Sequence, residues 1–191
     1  GWEMVAQMAQ HKRLSGEELK TWSERVLELC GDDYPDFAFI ALVPMVKSVE
    51  DVEAQDRLWE WVAGRFNKRK DLAAAAILGR ADMWEQAKQP NKAWDLYNDV
   101  IERYPNDGTI VVEALARAER FLMKENKDTA VIELYAKGWG RITKPKEAAG
   151  EFTAGSNYVV VGNHYADLLD RAGKPIDAKK VRDAVKQVLD K

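Results

Sequence analysis

Three times in the later part of this chain a small residue recurs with fixed companions. Ala81, Ala118 and Ala166 are each followed three residues later by a bulky apolar side chain: Trp84, Phe121 and Leu169. Each is followed twelve residues later by a second alanine: Ala93, Ala130 and Ala178. A helix–turn–helix unit explains this spacing. An alanine in each helix lets two backbones approach, and the bulky residue fills the space beside them. One such unit leaves an apolar face bare, so neighbouring units must stack to bury it. The expected fold is therefore all-α, built from stacked antiparallel helix hairpins.

Helical periodicity runs nearly end to end. Ser15 and Glu18 have the Ser-x-x-Glu form of a capping box. They open a helix with Leu19, Trp22, Val26 and Leu29 on one stripe, and Gly31 suits its C-terminal stop. Further helices are expected at 36–47, kinked or divided near Pro44, and at 51–67, 71–88, 91–103, 109–124, 128–139, 157–172 and 176–190. Short breakers such as Gln89-Pro90-Asn91 and Gly173-Lys174-Pro175 separate several of them. The β-branched runs Ile110–Val112 and Tyr158–Val161 suit a strand in isolation, but each continues with a three-to-four step and reads as helix. Segment 140–156 breaks the pattern, with Gly140, Gly150, Gly155 and Lys144-Pro145-Lys146. The second-helix alanines lie 37 and then 48 residues apart. Against a 34-residue period the later interval holds roughly fourteen extra residues, which we assign to this insertion.

These residues resemble the tetratricopeptide repeat (TPR). The clearest copy spans 74–107, with Ile77, Ala81 and Trp84 in its first helix and Ala93, Tyr97, Val100 and Pro105 in its second. A second copy, 111–144, keeps Ala118, Phe121, Ala130 and Leu134 but places Ala114 and Lys137 at slots for a large and a small apolar residue. A third, 159–191, keeps Ala166, Leu169, Gly173, Ala178 and Val185, departing at Gly162 and Arg182. Residues 1–70 read as degenerate repeats or an N-terminal helical cap, from the echo of Trp22 and Tyr34-Pro35-Asp36 in Trp94 and Tyr104-Pro105-Asn106. The resemblance implies a right-handed α-solenoid of about ten helices.

Charge and composition narrow the function classes. Among 191 residues, 46% are hydrophobic and 32% charged, the balance of an ordinary globular protein. A net charge of -3 gives no general electrostatic reason to bind nucleic acid. The basic run Arg65-Phe66-Asn67-Lys68-Arg69-Lys70 lies between two helical patterns and reads as a solvated turn. No membrane span is expected, since no apolar run is long enough. The single cysteine, Cys30, excludes an intrachain disulfide and reads as a small buried hydrophobe. There is no signal-peptide pattern, and the chain opens on Gly1-Trp2 in place of Met, so it is expected to be a piece of a longer protein of unstated compartment.

Catalytic patterns are not expected to yield a site. His11 and His164 form no helical metal pair, and His164 beside Tyr165 reads as a surface or partly buried packing residue. Gly150-x4-Gly155-Ser156 places serine where a phosphate loop needs lysine. Gly138-Trp139-Gly140 lacks the third glycine of a dinucleotide fingerprint. Acid pairs such as Asp32–Asp33 and Asp167–Asp170 carry no feature that would separate their pKa values. No cofactor and no metal are expected. Of the seven tryptophans, Trp22, Trp59, Trp84 and Trp94 read as core, and Trp2 and Trp139 as the better candidates for exposure.

In tetratricopeptide arrays the first helices of successive repeats line a concave groove for a peptide or partner helix. Carried over, that groove would display Leu78, Asp82 and Glu85, then Leu115, Glu119 and Leu122, then Asn163, Asp167 and Asp170. The surface is acidic with an apolar stripe, which suits a basic-amphipathic protein segment or peptide. The sequence thus points to a non-enzymatic interaction or assembly scaffold, part of a larger protein, with self-association open to it. The alternative is a helical accessory or catalytic domain whose active site lies in a missing domain or in the 140–156 insertion.

Overall fold

The apolar three-to-four periodicity becomes helix throughout. The computed structural model of the chain describes residues 16–30, 33–105, 107–142, 144 and 152–190, which hold nine α-helices and no strand. They are α1 (Gly16–Cys30), α2 (Pro35–Lys47), α3 (Val52–Arg65), α4 (Lys70–Gln86), α5 (Pro90–Arg103), α6 (Gly108–Lys124), α7 (Asp128–Arg141), α8 (Phe152–Arg171) and α9 (Pro175–Leu189). Ile110–Val112 and Tyr158–Val161 are helical, as their continuation required. Local chemistry sets several starts. Asp51 and Asp107 cap α3 and α6 by accepting from the amides of Ala54 (2.7 Å) and Ile110 (3.3 Å), and prolines open α2, α5 and α9. Helix α2 continues undivided through Pro44, with Pro44 close enough to its end that the Ser48 amide still reaches the Pro44 carbonyl.

Three interhelical turns share one geometry. After α4, α6 and α8 the chain passes through the left-handed region at Lys88, Asn126 and Gly173 (φ 57°, 54° and 73°). In each turn the next amide bonds a carbonyl five residues back: Gln89 to Trp84, Lys127 to Leu122, Lys174 to Leu169. The left-handed residue's own amide bonds the carbonyl three back, at Glu85, Met123 and Asp170. This is the Schellman arrangement, which satisfies carbonyls that a helix end leaves open.

The turns correct the register of the second copy. Counted from them, Trp84 is equivalent to Leu122 and Leu169, and Ala93 to Val131 and Ala178. The second copy therefore sits one residue later than the alanine spacing suggests. Burial agrees, because Val131 is 1% exposed and Ala130 only half-buried. The slot of Ala81 and Ala166 is then occupied by Glu119.

The chain divides into two units, Gly1–Leu96 and Tyr97–Lys191. In the first, α1 packs on α2 and α3, α2 on α3, and α3 on α4. Its core holds Leu42, Met45, Val62 and Leu78, with Trp59 against Gly79, where an added Cβ would lie 2.9 Å from the indole. In the second, α6 packs on α7 and α8, α7 on α8, and α8 on α9. Its core includes Tyr97, Val100, Ile101, Leu115 and Phe121. Gly162 permits a close approach there: a Cβ would lie 2.6 Å from Val185 Cγ2 and 2.7 Å from Trp139 Nε1.

Two tryptophan expectations are reversed. Trp22 is 41% exposed, because the buried stripe of α1 runs through Ser23, Val26 and Leu27. Trp139 is half-buried, with its ring 5.2 Å from that of Tyr158 and 6.1 Å from that of Tyr165. Trp59 and Trp84 are core, and Trp94 is half-buried. The expectations for Trp2, His11, Ser15, Gly31, Gly150 and residues 145–151 of the insertion lie outside the described residues, as do the side chains of Cys30 and of residues 152–156.

Candidate interaction surface

The nine expected groove residues separate by burial. Leu78, Leu115 and Leu122 are 1–2% exposed and belong to the cores, so the apolar stripe of the expected groove is corrected: these leucines are not available to a ligand. The reason is geometric. α4 and α6 bury more than the narrow stripe that alanine spacing marks, and residues beside that stripe are covered too. Asp82 and Glu85 on α4 are half-buried in the first unit. Asn163, Asp167 and Asp170 on α8 are exposed in the second.

Glu119 is half-buried between three helices of the second unit. Its Oε2 accepts from the Tyr135 hydroxyl (2.7 Å), and its Oε1 lies 3.0 Å from His164 Nε2. The rings of Tyr135 and His164 are tilted together, with centroids 4.7 Å apart. Burial, then the acceptor bond and charge of Glu119, push the Tyr135 phenol well above the ordinary tyrosine range. The phenol therefore stays protonated and donates. A carboxylate in a slot that elsewhere takes alanine is thus fixed by contacts from α7 and α8, and is not presented to a ligand. Sequence spacing did not reveal this cluster, since its members lie 16 and 45 residues from Glu119.

Four exposed side chains of α8 share one stripe: Val160 (53% exposed), Asn163, Asp167 and Asp170 recur at i, i+3, i+7 and i+10. Arg182 of α9 pairs with Asp167 (2.8 Å) and Asp170 (2.7 Å). The carboxylates are therefore oriented by a cation on one side while remaining exposed. This stripe is apolar at one end and acidic at the other.

The first unit contains a separate cleft of about 530 Å³ beside the α3–α4 turn. Leu27 and Phe66 supply apolar lining, and Asp33, Asp36, Arg65, Lys68 and Arg69 bring charge of both signs. Arg69 spans Asp36 (2.9 Å) and Asp71 (2.8 Å), so the basic run is partly an internal brace as well as a turn. Among the described residues no group of three His, Cys, Asp or Glu side chains can hold a metal ion. Among them, too, no helix is long and apolar enough to cross a membrane. No protein-family model matches this chain, and no curated protein matches it significantly.

Proposed function

We propose that this chain is a non-catalytic protein-interaction domain whose hairpins form a tetratricopeptide-like right-handed α-solenoid. The observation that carries this reading is the triple recurrence of one turn: the same left-handed residue and the same two backbone bonds at Lys88, Asn126 and Gly173. Buried small or apolar residues at equivalent positions support it, with Ala81 and Ala166, then Ala93, Val131 and Ala178. The contact of α6 with α8 is also what stacked hairpins require, since first helices of successive units must touch to share a core.

In this reading the ligand is a basic-amphipathic helix or peptide. Its cations meet Asp167 and Asp170 on α8, and its apolar side packs near Val160 in place of the buried leucines. The test is a titration of the chain with three helical peptides that share an apolar face and carry basic, neutral or acidic polar faces. The basic peptide is expected to bind tightest and to lose roughly tenfold in affinity to Asp167→Lys. Equal binding of all three peptides, or no effect of the substitution, overturns the charge-steered surface.

A further inference from the structure

Helix α2 has no polar side chain from Phe37 to Val46, ten residues in succession. A helix apolar on every side is normally covered on every side. Here one side is: Ala38, Leu42, Met45 and Val46 are buried. The opposite side is not: Phe37 and Ile40 are 66% and 67% exposed, and Tyr34, just before the helix and beside Phe37, is 60% exposed. Contiguous large apolar side chains left in water mark a contact surface.

The pattern along that outer side identifies what it fits. Asp36, Ile40, Val43 and Lys47 fall at i, i+4, i+7 and i+11, a single helix face with spacing that reads the same in both directions. Asp36 and Lys47 are exposed and Val43 is half-buried. The charges stand about 16 Å apart at opposite ends of the stripe. Turn a copy of this stripe end for end and each aspartate meets a lysine, while Ile40 meets Val43. The antiparallel arrangement also opposes the two helix dipoles favourably. We propose that α2 is a self-association surface, and that two copies of this chain pair about a two-fold axis through it, each Asp36 facing the second copy's Lys47. A two-fold contact requires such a self-complementary patch. Asp36 already accepts from Arg69, and a carboxylate has lone pairs for both partners. Phe37 and Pro44 flank the stripe and widen the apolar contact.

Sedimentation velocity on the whole chain, from micromolar to millimolar concentration, tests this directly. The chain is expected to dimerise as concentration rises, and Ile40→Glu to abolish dimerisation while helical circular dichroism is unchanged. Lys47→Glu alone and Asp36→Lys alone should each weaken the dimer roughly tenfold by setting like charges opposite one another. Mixed in equal amounts, these two variants should recover it, because each then meets an opposite charge at both ends. Loss of the Asp36–Arg69 contact cannot produce that recovery, and Arg69 retains Asp71. A chain monomeric throughout, a dimer indifferent to Ile40→Glu, or a mixture no tighter than its separate components overturns the proposal. The peptide titration on α8 reads a different helix and is decided independently.

Discussion

Asp56 on α3 is a heavily engaged carboxylate of the first unit. It accepts from Arg80 Nε (2.5 Å) and Nη2 (2.7 Å) and from Trp84 Nε1 (2.6 Å), with a side chain only 14% exposed. Burial is the largest single influence and opposes its ionisation. The Arg80 bonds and charge, the Trp84 donor and Lys92 together outweigh it and hold the carboxyl below the ordinary aspartate range. A depressed folded pKa stabilises the protein above the unfolded value and ceases to do so as pH falls through the folded one. Asp56→Asn should therefore cost about 2 kcal/mol at neutral pH by weakening charge-assisted bonds. That deficit should shrink below about pH 4, as the wild-type carboxyl takes up its proton. Urea denaturation of both proteins across pH reads this, and a deficit that stays constant into strong acid would refute it. The burial of Trp84 was legible in the sequence, but its acceptor was not. Asp56 lies 28 residues away, and nothing local to either residue records the pairing.

At the scale of the helix hairpin, the nine described helices were largely legible because a 3.6-residue apolar period leaves a direct mark on the chain. Register was less so. Alanine spacing placed the second copy at Ala118 and Ala130, yet the Asn126 turn assigns the equivalent slots to Glu119 and Val131. Ala118 is fully buried as well, so burial at one small residue fixes no register. The polar residue at the real slot concealed it. Glu119 fits there because Tyr135 donates to it, and a double-mutant cycle measures that dependence. Glu119→Ala should cost about 1–2 kcal/mol by leaving the Tyr135 hydroxyl unpaired, whereas adding Tyr135→Phe should recover part of the loss. Strict additivity of the two changes would show that the contact is unimportant. The turns themselves offer a gain. Lys88 holds a left-handed conformation that costs an L-residue about 1 kcal/mol, so Lys88→Gly should raise stability by roughly 0.5–1 kcal/mol. Thermal melting that shows Lys88→Gly less stable than the parent would count against strain at this turn.

For the molecule as a whole, charge discriminates between uses more sharply than fold does. A net charge of -3 is modest, and many of the ion pairs are exposed ones that contribute little to stability. Exposed carboxylates therefore persist where their side chains reach solvent, as Asp167 and Asp170 do even with Arg182 beside them. The sequence revealed the acidic character of these helices but not which apolar neighbours remain accessible. Leu78, Leu115 and Leu122 share periodic positions that serve core and groove equally well, and only packing separates the two. With those leucines buried, the proposed binding at α8 would depend more on electrostatics than a groove with apolar anchors does. Affinity for the basic helical peptide should consequently fall several-fold between about 0.05 and 0.5 M salt, as the Debye length contracts from above to below 10 Å. Fluorescence anisotropy at stepped ionic strength measures this. A salt-independent affinity would assign the contact to apolar burial and remove Asp167 and Asp170 from it, whereas a steep loss shared by Asn163→Ala but absent in Asp167→Lys would place the ligand on the carboxylate end of the stripe.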